Sequence, residues 1–187
     1  MKKTLLAGLI GLMGLMLAHP AFAFTEACQW VAKMAGPVYS VQPLRVASFT
    51  SPEELPETLH LALLERSGGW FIYQTEQAWF GKESCAPVQK VVAHQTFDFV
   101  PVLLNQSTGR NAVITSSFML KTYQKNDIDK MAERYGFKLL TLLPSGNAAI
   151  FDVSGVTSYD RMLERLDRDK DVQFAVPVLA EPRYRLR

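Results

Sequence analysis

Cysteine and histidine are scarce in this chain: its 187 residues include 2 cysteines and 3 histidines. Two cysteines exclude a disulfide-dense scaffold and a four-cysteine zinc site. Three histidines leave little material for metal binding or His-based catalysis. Neither sign of charge is in excess. The 20 Lys+Arg stand against 18 Asp+Glu, and a net charge of +2 is too small to point to nucleic acid. Gly-x-Ser-x-Gly, His-Glu-x-x-His and glycine-rich phosphate loops do not occur. A composition with 48% hydrophobic and 20% charged residues excludes a mainly disordered chain or a collagen-like fibre.

Long apolar runs are also rare. The one present, over residues 4–18, follows Met1-Lys2-Lys3 and precedes the small-x-small triplet Ala21-Phe22-Ala23. It is short for a bilayer span, which needs ~20 apolar residues, and the whole reads as a secretory signal cleaved after Ala23. The expectation is a periplasmic or secreted protein with no membrane attachment after cleavage. Loss of Lys2, Lys3 and His19 leaves balanced charge, with His60 and His94 as the remaining histidines. In an oxidising compartment Cys28 and Cys85 most simply form one structural disulfide. A reactive thiol pair is the alternative, but there is no Cys-x-x-Cys and no basic cluster near either thiol.

Hydrophobic patterning divides the rest at the polar stretch Asn105-Gln106-Ser107-Thr108-Gly109-Arg110-Asn111. Before it, residues 26–35 predict a short helix stopped by Gly36-Pro37. Residues 38–49 predict a strand interrupted by Pro43. Leu55, Leu59 and Leu63 have helical spacing over 52–66, with a late start because of Pro56. Strands are predicted over 70–73, 88–92 and 96–104, the last an edge strand because of Pro101. Trp70, Phe71, Tyr73, Trp79 and Phe80 read as a core around the disulfide in preference to a ligand platform.

After the polar stretch the pattern is clearer. A β-rich run covers 112–123. Asn126 is the expected cap of a helix whose Ile128, Met131, Ala132 and Tyr135 share one face, stopped by Gly136. Residues 137–143 and 148–153 predict a hairpin about Pro144-Ser145-Gly146-Asn147. Thr157 is the expected cap of a second helix with Tyr159, Met162, Leu163 and Leu166 on one face. A strand over 172–176, stopped by Pro177, closes the order β-α-β-β-α-β. The fold class expected is α+β. A disulfide-bearing N-terminal α+β domain occupies 24–105 and a linker 106–112. A ferredoxin-like unit occupies 113–178, with two helices on one face of an open antiparallel sheet, and an extended tail occupies 179–187. The uncovered sheet face is the first candidate binding surface.

Particular segments of the second part resemble the inhibitor-type propeptides of subtilisin-like serine proteases. They are Phe118-Met119-Leu120-Lys121, the hairpin ending Asn147-Ala148-Ala149-Ile150-Phe151-Asp152-Val153, the helix end Met162-Leu163-Glu164-Arg165-Leu166, and Asp171-Val172-Gln173-Phe174-Ala175-Val176-Pro177. The chain reaches Arg187 without a protease domain. It is thereby similar to the external chaperones of secreted bacterial kexin-like proteases. The resemblance implies a non-enzymatic partner, one to one, that assists folding of such a protease and inhibits it. The tail residues Pro182, Arg183, Tyr184, Arg185, Leu186 and Arg187 would then lie in the active-site cleft as an added strand, with Arg187 in the primary pocket. The family's acidic residues after the last strand are missing, Glu181 being the nearest acid.

No catalytic constellation, cofactor or metal site is expected. His60 and His94 read as half-buried structural residues. Asp167, Asp169 and Asp171 read as a solvated helix end, since they lack the EF-hand glycine and closing glutamate. The alternative function is a periplasmic ligand-binding or envelope-interaction module with no protease partner.

Overall fold

The computed structural model describes residues 27–81 and 83–181. The expected signal segment and the tail residues 182–187 lie outside the described residues. In chain order the elements are α1 (Gln29–Ala35), β1 (Tyr39–Ser48), a 3-10 turn (Glu57–Leu59), β2 (Ala62–Ser67), β3 (Trp70–Gln74), β4 (Val88–Val92) and β5 (Gln95–Asn105). There follow β6 (Arg110–Thr122), α2 (Asp127–Tyr135), β7 (Lys138–Leu142), β8 (Ala148–Asp152), α3 (Tyr159–Asp167) and β9 (Val172–Ala180).

The expected fold class is corrected by the strand ladder. One nine-stranded antiparallel sheet runs in the order β2-β3-β1-β5-β6-β8-β7, with β4 on β5 and β9 on β6. It replaces a ferredoxin-like unit beside a separate N-terminal domain. The segment expected as a linker is the turn of the β5–β6 hairpin and the start of β6. Leu103 pairs with Ala112 and Asn105 with Arg110. Gly109, at φ 68°, takes the left-handed turn position that other residues adopt only under strain. Asn105 Oδ1 accepts from the N–H groups of Ser107 and Thr108. The polarity of this stretch therefore serves a turn inside the sheet.

Other expectations shift for local reasons. Residues 52–66 contain a 3-10 turn and β2 in place of a helix, with Pro56 immediately before the turn. β5 is an interior strand despite Pro101, because β1 and β6 flank it and a register shift in β1 lies beside the proline. β9 continues through Pro177 to Ala180. Among the described residues it pairs with β6 alone and is therefore an edge strand, where a proline is tolerated. Leu179 and Ala180 therefore belong to the sheet and not to the tail.

Helices α1, α2 and α3 bury their apolar sides in one core with the sheet. It holds Val31 of α1, Met131 of α2, Leu163 and Leu166 of α3, and Phe99, Phe118, Leu120 and Phe151 of the strands. The disulfide is formed, with Cys28 and Cys85 both buried in this core. On the other face, Ala47, Ile72, Val100, Val102 and Val113 make a smaller core. The sheet curls over it. Asn111 Nδ2 of β6 donates to Glu65 Oε2 of β2 at 2.6 Å, although three strands separate them in the sheet order. Arg45 Nη1 donates to Asn111 Oδ1 at 2.6 Å.

Gly136 ends α2 at φ 69°, its N–H bonded to Ala132 and Glu133 carbonyls. No atom stands within 4 Å of the place a Cβ would occupy there, so the penalty for a side chain is conformational alone. Gly136→Ala is expected to lower stability by about 1 kcal/mol in urea denaturation. An unchanged midpoint would contradict the left-handed stop.

Candidate docking face

Strands β7, β8, β6 and β9 carry a face that no helix among the described residues covers. Side chains alternate along a strand, so Phe118 and Leu120 of β6 point to the helices while Met119 and Lys121 point away. The register carries that division across the sheet. Met119 lies opposite Ile150 of β8 and Val176 of β9, and Lys121 lies opposite Phe174. Leu120 lies opposite Ala149 and Ala175, both in the helix-side core. A transverse apolar row, Ile150–Met119–Val176, thus crosses three strands, with Phe174 beside it.

These residues are partly exposed, and none belongs to either core. Lys121 holds its ammonium 5.8 Å from the Phe174 ring centroid, a cation over an aromatic face. At the end of the row, Thr141 of the edge strand β7 lies opposite Ile150, whereas Leu139 and Leu142, opposite Phe151 and Ala149, lie on the helix side. An exposed apolar row with a charged side chain at its edge has the usual make-up of a protein–protein interface.

β9 leads from this face to the C-terminal tail, and the departure point is fixed. The Tyr39 hydroxyl donates to Glu181 Oε2 at 3.0 Å, and Asn105 Nδ2 donates to Oε1 at 3.1 Å. Burial, and then the Glu181 carboxylate, push the Tyr39 hydroxyl above its ordinary value. Glu181 is therefore occupied within the chain. Pattern alone marks it as the acid nearest the tail, but its partners come from β1 and β5. The tail residues Pro182, Arg183, Tyr184, Arg185, Leu186 and Arg187, assigned by resemblance to a protease cleft, lie outside the described residues.

The remaining sequence candidates have other roles. His60 and His94 are exposed and stand at φ 50° and 67°, so they are turn residues, not half-buried ones. His94 follows Ala93, at φ 48°, in the tight turn between β4 and β5. The aromatic group divides. Tyr73 and Phe80 are buried, Trp79 meets Phe99 edge-on at 4.9 Å, and Trp70 stacks on exposed Phe49 at 3.7 Å.

The aspartates after α3 are not a solvated end. Arg134 Nη1 and Nη2 bond Asp169 at 2.7 Å and Asp171 at 2.9 Å, and the Tyr135 hydroxyl donates to Asp169 at 2.8 Å. Burial alone would raise the Asp169 carboxyl. The Asp171 N–H, the Tyr135 hydroxyl and Arg134 outweigh it and hold Asp169 below its usual value. This cluster ties α2 to the turn before β9.

In comparisons with known proteins, no protein family, curated protein or solved structure matches the chain.

Proposed function

We propose that this protein is a secreted, non-enzymatic partner of a subtilisin-like serine protease, which it helps to fold and holds inactive. The helix-free face of β7-β8-β6-β9 docks on the protease, and residues 182–187 enter its active-site cleft. One observation carries this reading. The bare apolar row Ile150–Met119–Val176 ends on the strand that delivers the basic tail, and Glu181 pins the tail's starting point. A rigid docking face and a fixed exit limit the freedom lost when a tail is placed in a cleft.

The folding half of the activity follows from binding. A partner that binds the folded protease and not the unfolded one shifts its equilibrium by mass action. Arginines in the tail suit an acidic pocket through paired, charge-assisted hydrogen bonds.

The test is co-expression with a secreted subtilisin-like protease from the same cell, reading soluble yield and peptidase activity. The intact protein is expected to give soluble, inactive protease. Deleting residues 183–187 is expected to keep the yield and release activity. Met119→Glu, on the partly exposed row, is expected to lose both without unfolding the protein itself. Equal yield and activity with and without the protein would overturn the reading.

A further inference from the structure

The helical side of the molecule carries a second feature that the docking face does not use. A cleft of about 300 Å³ opens where the end of α2 and the start of β7 approach α3. Its floor is apolar, built from Phe137, Met162, Val156 and the ring of Tyr135. Phe137 and Met162 are buried, and the Tyr135 and Phe137 rings stack with centroids 5.4 Å apart. Its wall is cationic. Arg161 and Arg165 project from α3 one turn apart, the spacing that sets two side chains side by side.

The two arginines differ in commitment. Arg161 pairs with Glu83. The Arg165 guanidinium lies over the Tyr135 ring, 5.2 Å from its centroid. Among the described residues it makes no ion pair. A guanidinium stacked on a ring is held in orientation while its N–H fork stays open at the edge, the geometry that grips a carboxylate through two bonds. The volume sits at the small end of ligand sites and suits one ring or a short aliphatic group. With Arg161 neutralised by Glu83, the Arg165 guanidinium still disfavours a cation, and an apolar floor is wasted on a bare inorganic anion.

We propose that this cleft binds a carboxylate joined to an apolar body. Two sources share that chemistry: a small aryl or alkyl carboxylic acid, and the free carboxylate end of a peptide whose last side chain is apolar. The site is independent of the protease reading and stands or falls separately.

The test titrates the purified protein with hydrocinnamate and its amide, and with Gly-Gly-Phe carrying a free or an amidated end. The shifts of Tyr135, Phe137 and Met162 are followed by NMR. Each acid is expected to perturb all three and its amide to bind at least about tenfold more weakly. Arg165→Gln is expected to weaken the acids about tenfold or more, and Arg165→Lys less, since lysine keeps the charge without the fork. Arg165 is exposed, so the fold survives these changes. Tighter binding of the peptide acid assigns the peptide source, and tighter binding of hydrocinnamate the small-molecule source. No perturbation at millimolar acid, equal binding of the amides, or affinity unchanged in Arg165→Gln would overturn the proposal.

Discussion

Replacing Cys28 and Cys85 together with alanine is expected to remove about 4 kcal/mol of folding stability. The bridge closes a sequence separation of 57, and a loop of that size constrains the unfolded chain by roughly that amount in the chain-entropy picture. Domains of this size hold only about 5–15 kcal/mol in total, so the loss is a large fraction. The folded state suffers as well. The bridge pins the start of α1 to the segment 76–86, and the Tyr159 N–H donates to the Cys85 carbonyl at 2.7 Å at the head of α3. Urea denaturation of the double variant beside the oxidised parent measures the difference. A loss below about 1 kcal/mol would show that the bridge adds little to an already constrained chain.

The second large effect is expected at Asp160, which no motif in the sequence marks. α1 has no cap of its own, since Cys28 stands at its start in the left-handed region with no side-chain bond to the helix. The first N–H groups of a helix need acceptors. Asp160 supplies one from α3, accepting the Val31 N–H at 3.1 Å, and the N–H groups of Cys28, Trp30 and Gln29 also act on its carboxylate. Asp160 is only 6% exposed. Asp160→Ala strands these donors in the core and is expected to cost about 2–4 kcal/mol. Because the disulfide and Asp160 hold the same end of α1, combining the changes is expected to depart from simple addition.

Asp160 also carries a pH signature. Burial raises its carboxyl above the ordinary 3.8, and the N–H groups only partly offset that. Its contribution is therefore fully present below about pH 3.8 and declines as pH rises through the raised value. Asparagine keeps an acceptor and does not titrate. The stability advantage of the parent over Asp160→Asn is expected to shrink as pH climbs out of the ordinary carboxylate range, then to level off. Other carboxylates titrate alike in both proteins and cancel. An advantage that grows with pH would reverse the assignment.

How much of this was legible depends on the range of the interaction. The helices α2 and α3 follow the spacing of Ile128, Met131 and Tyr135 and of Tyr159, Met162 and Leu166, because a helical stripe is a local property. Their caps were less legible. Asn126 makes no side-chain cap bond, and Ser158 caps α3 in place of Thr157 by accepting from the Arg161 N–H. A one-residue choice between two hydroxyls depends on backbone angles that pattern does not carry.

The expected fold class, a ferredoxin-like unit in place of one continuous sheet, rests on taking the polar segment 105–111 as an end. A hairpin turn within a sheet and a linker between domains share the same residue types. What separates them is whether Leu103 and Ala112 find each other, which is a matter of pairing and not of composition. For the docking face, the β-rich run of β6 is legible in the sequence, but which neighbours complete the row depends on register. Met119 meets Val176 only because a shift in the β6–β9 ladder falls between Ile114 and Phe118. The role of Glu181 was hidden for the same reason, its partner Tyr39 lying 142 positions away.

The grip of Asp160 on α1 sets an order of events for the nascent chain. The Val31–Asp160 contact spans 129 positions, so the Val31 N–H of α1 has to be satisfied by water until nearly the last element has been made. Closing so long a loop costs entropy before any contact repays it, which slows the barrier crossing. The early strands meanwhile wait with unpaired edges and Val31 uncovered, a state that favours aggregation unless something shields it. A fragment lacking α3 is therefore not a smaller copy of this protein but a trapped early stage of its synthesis.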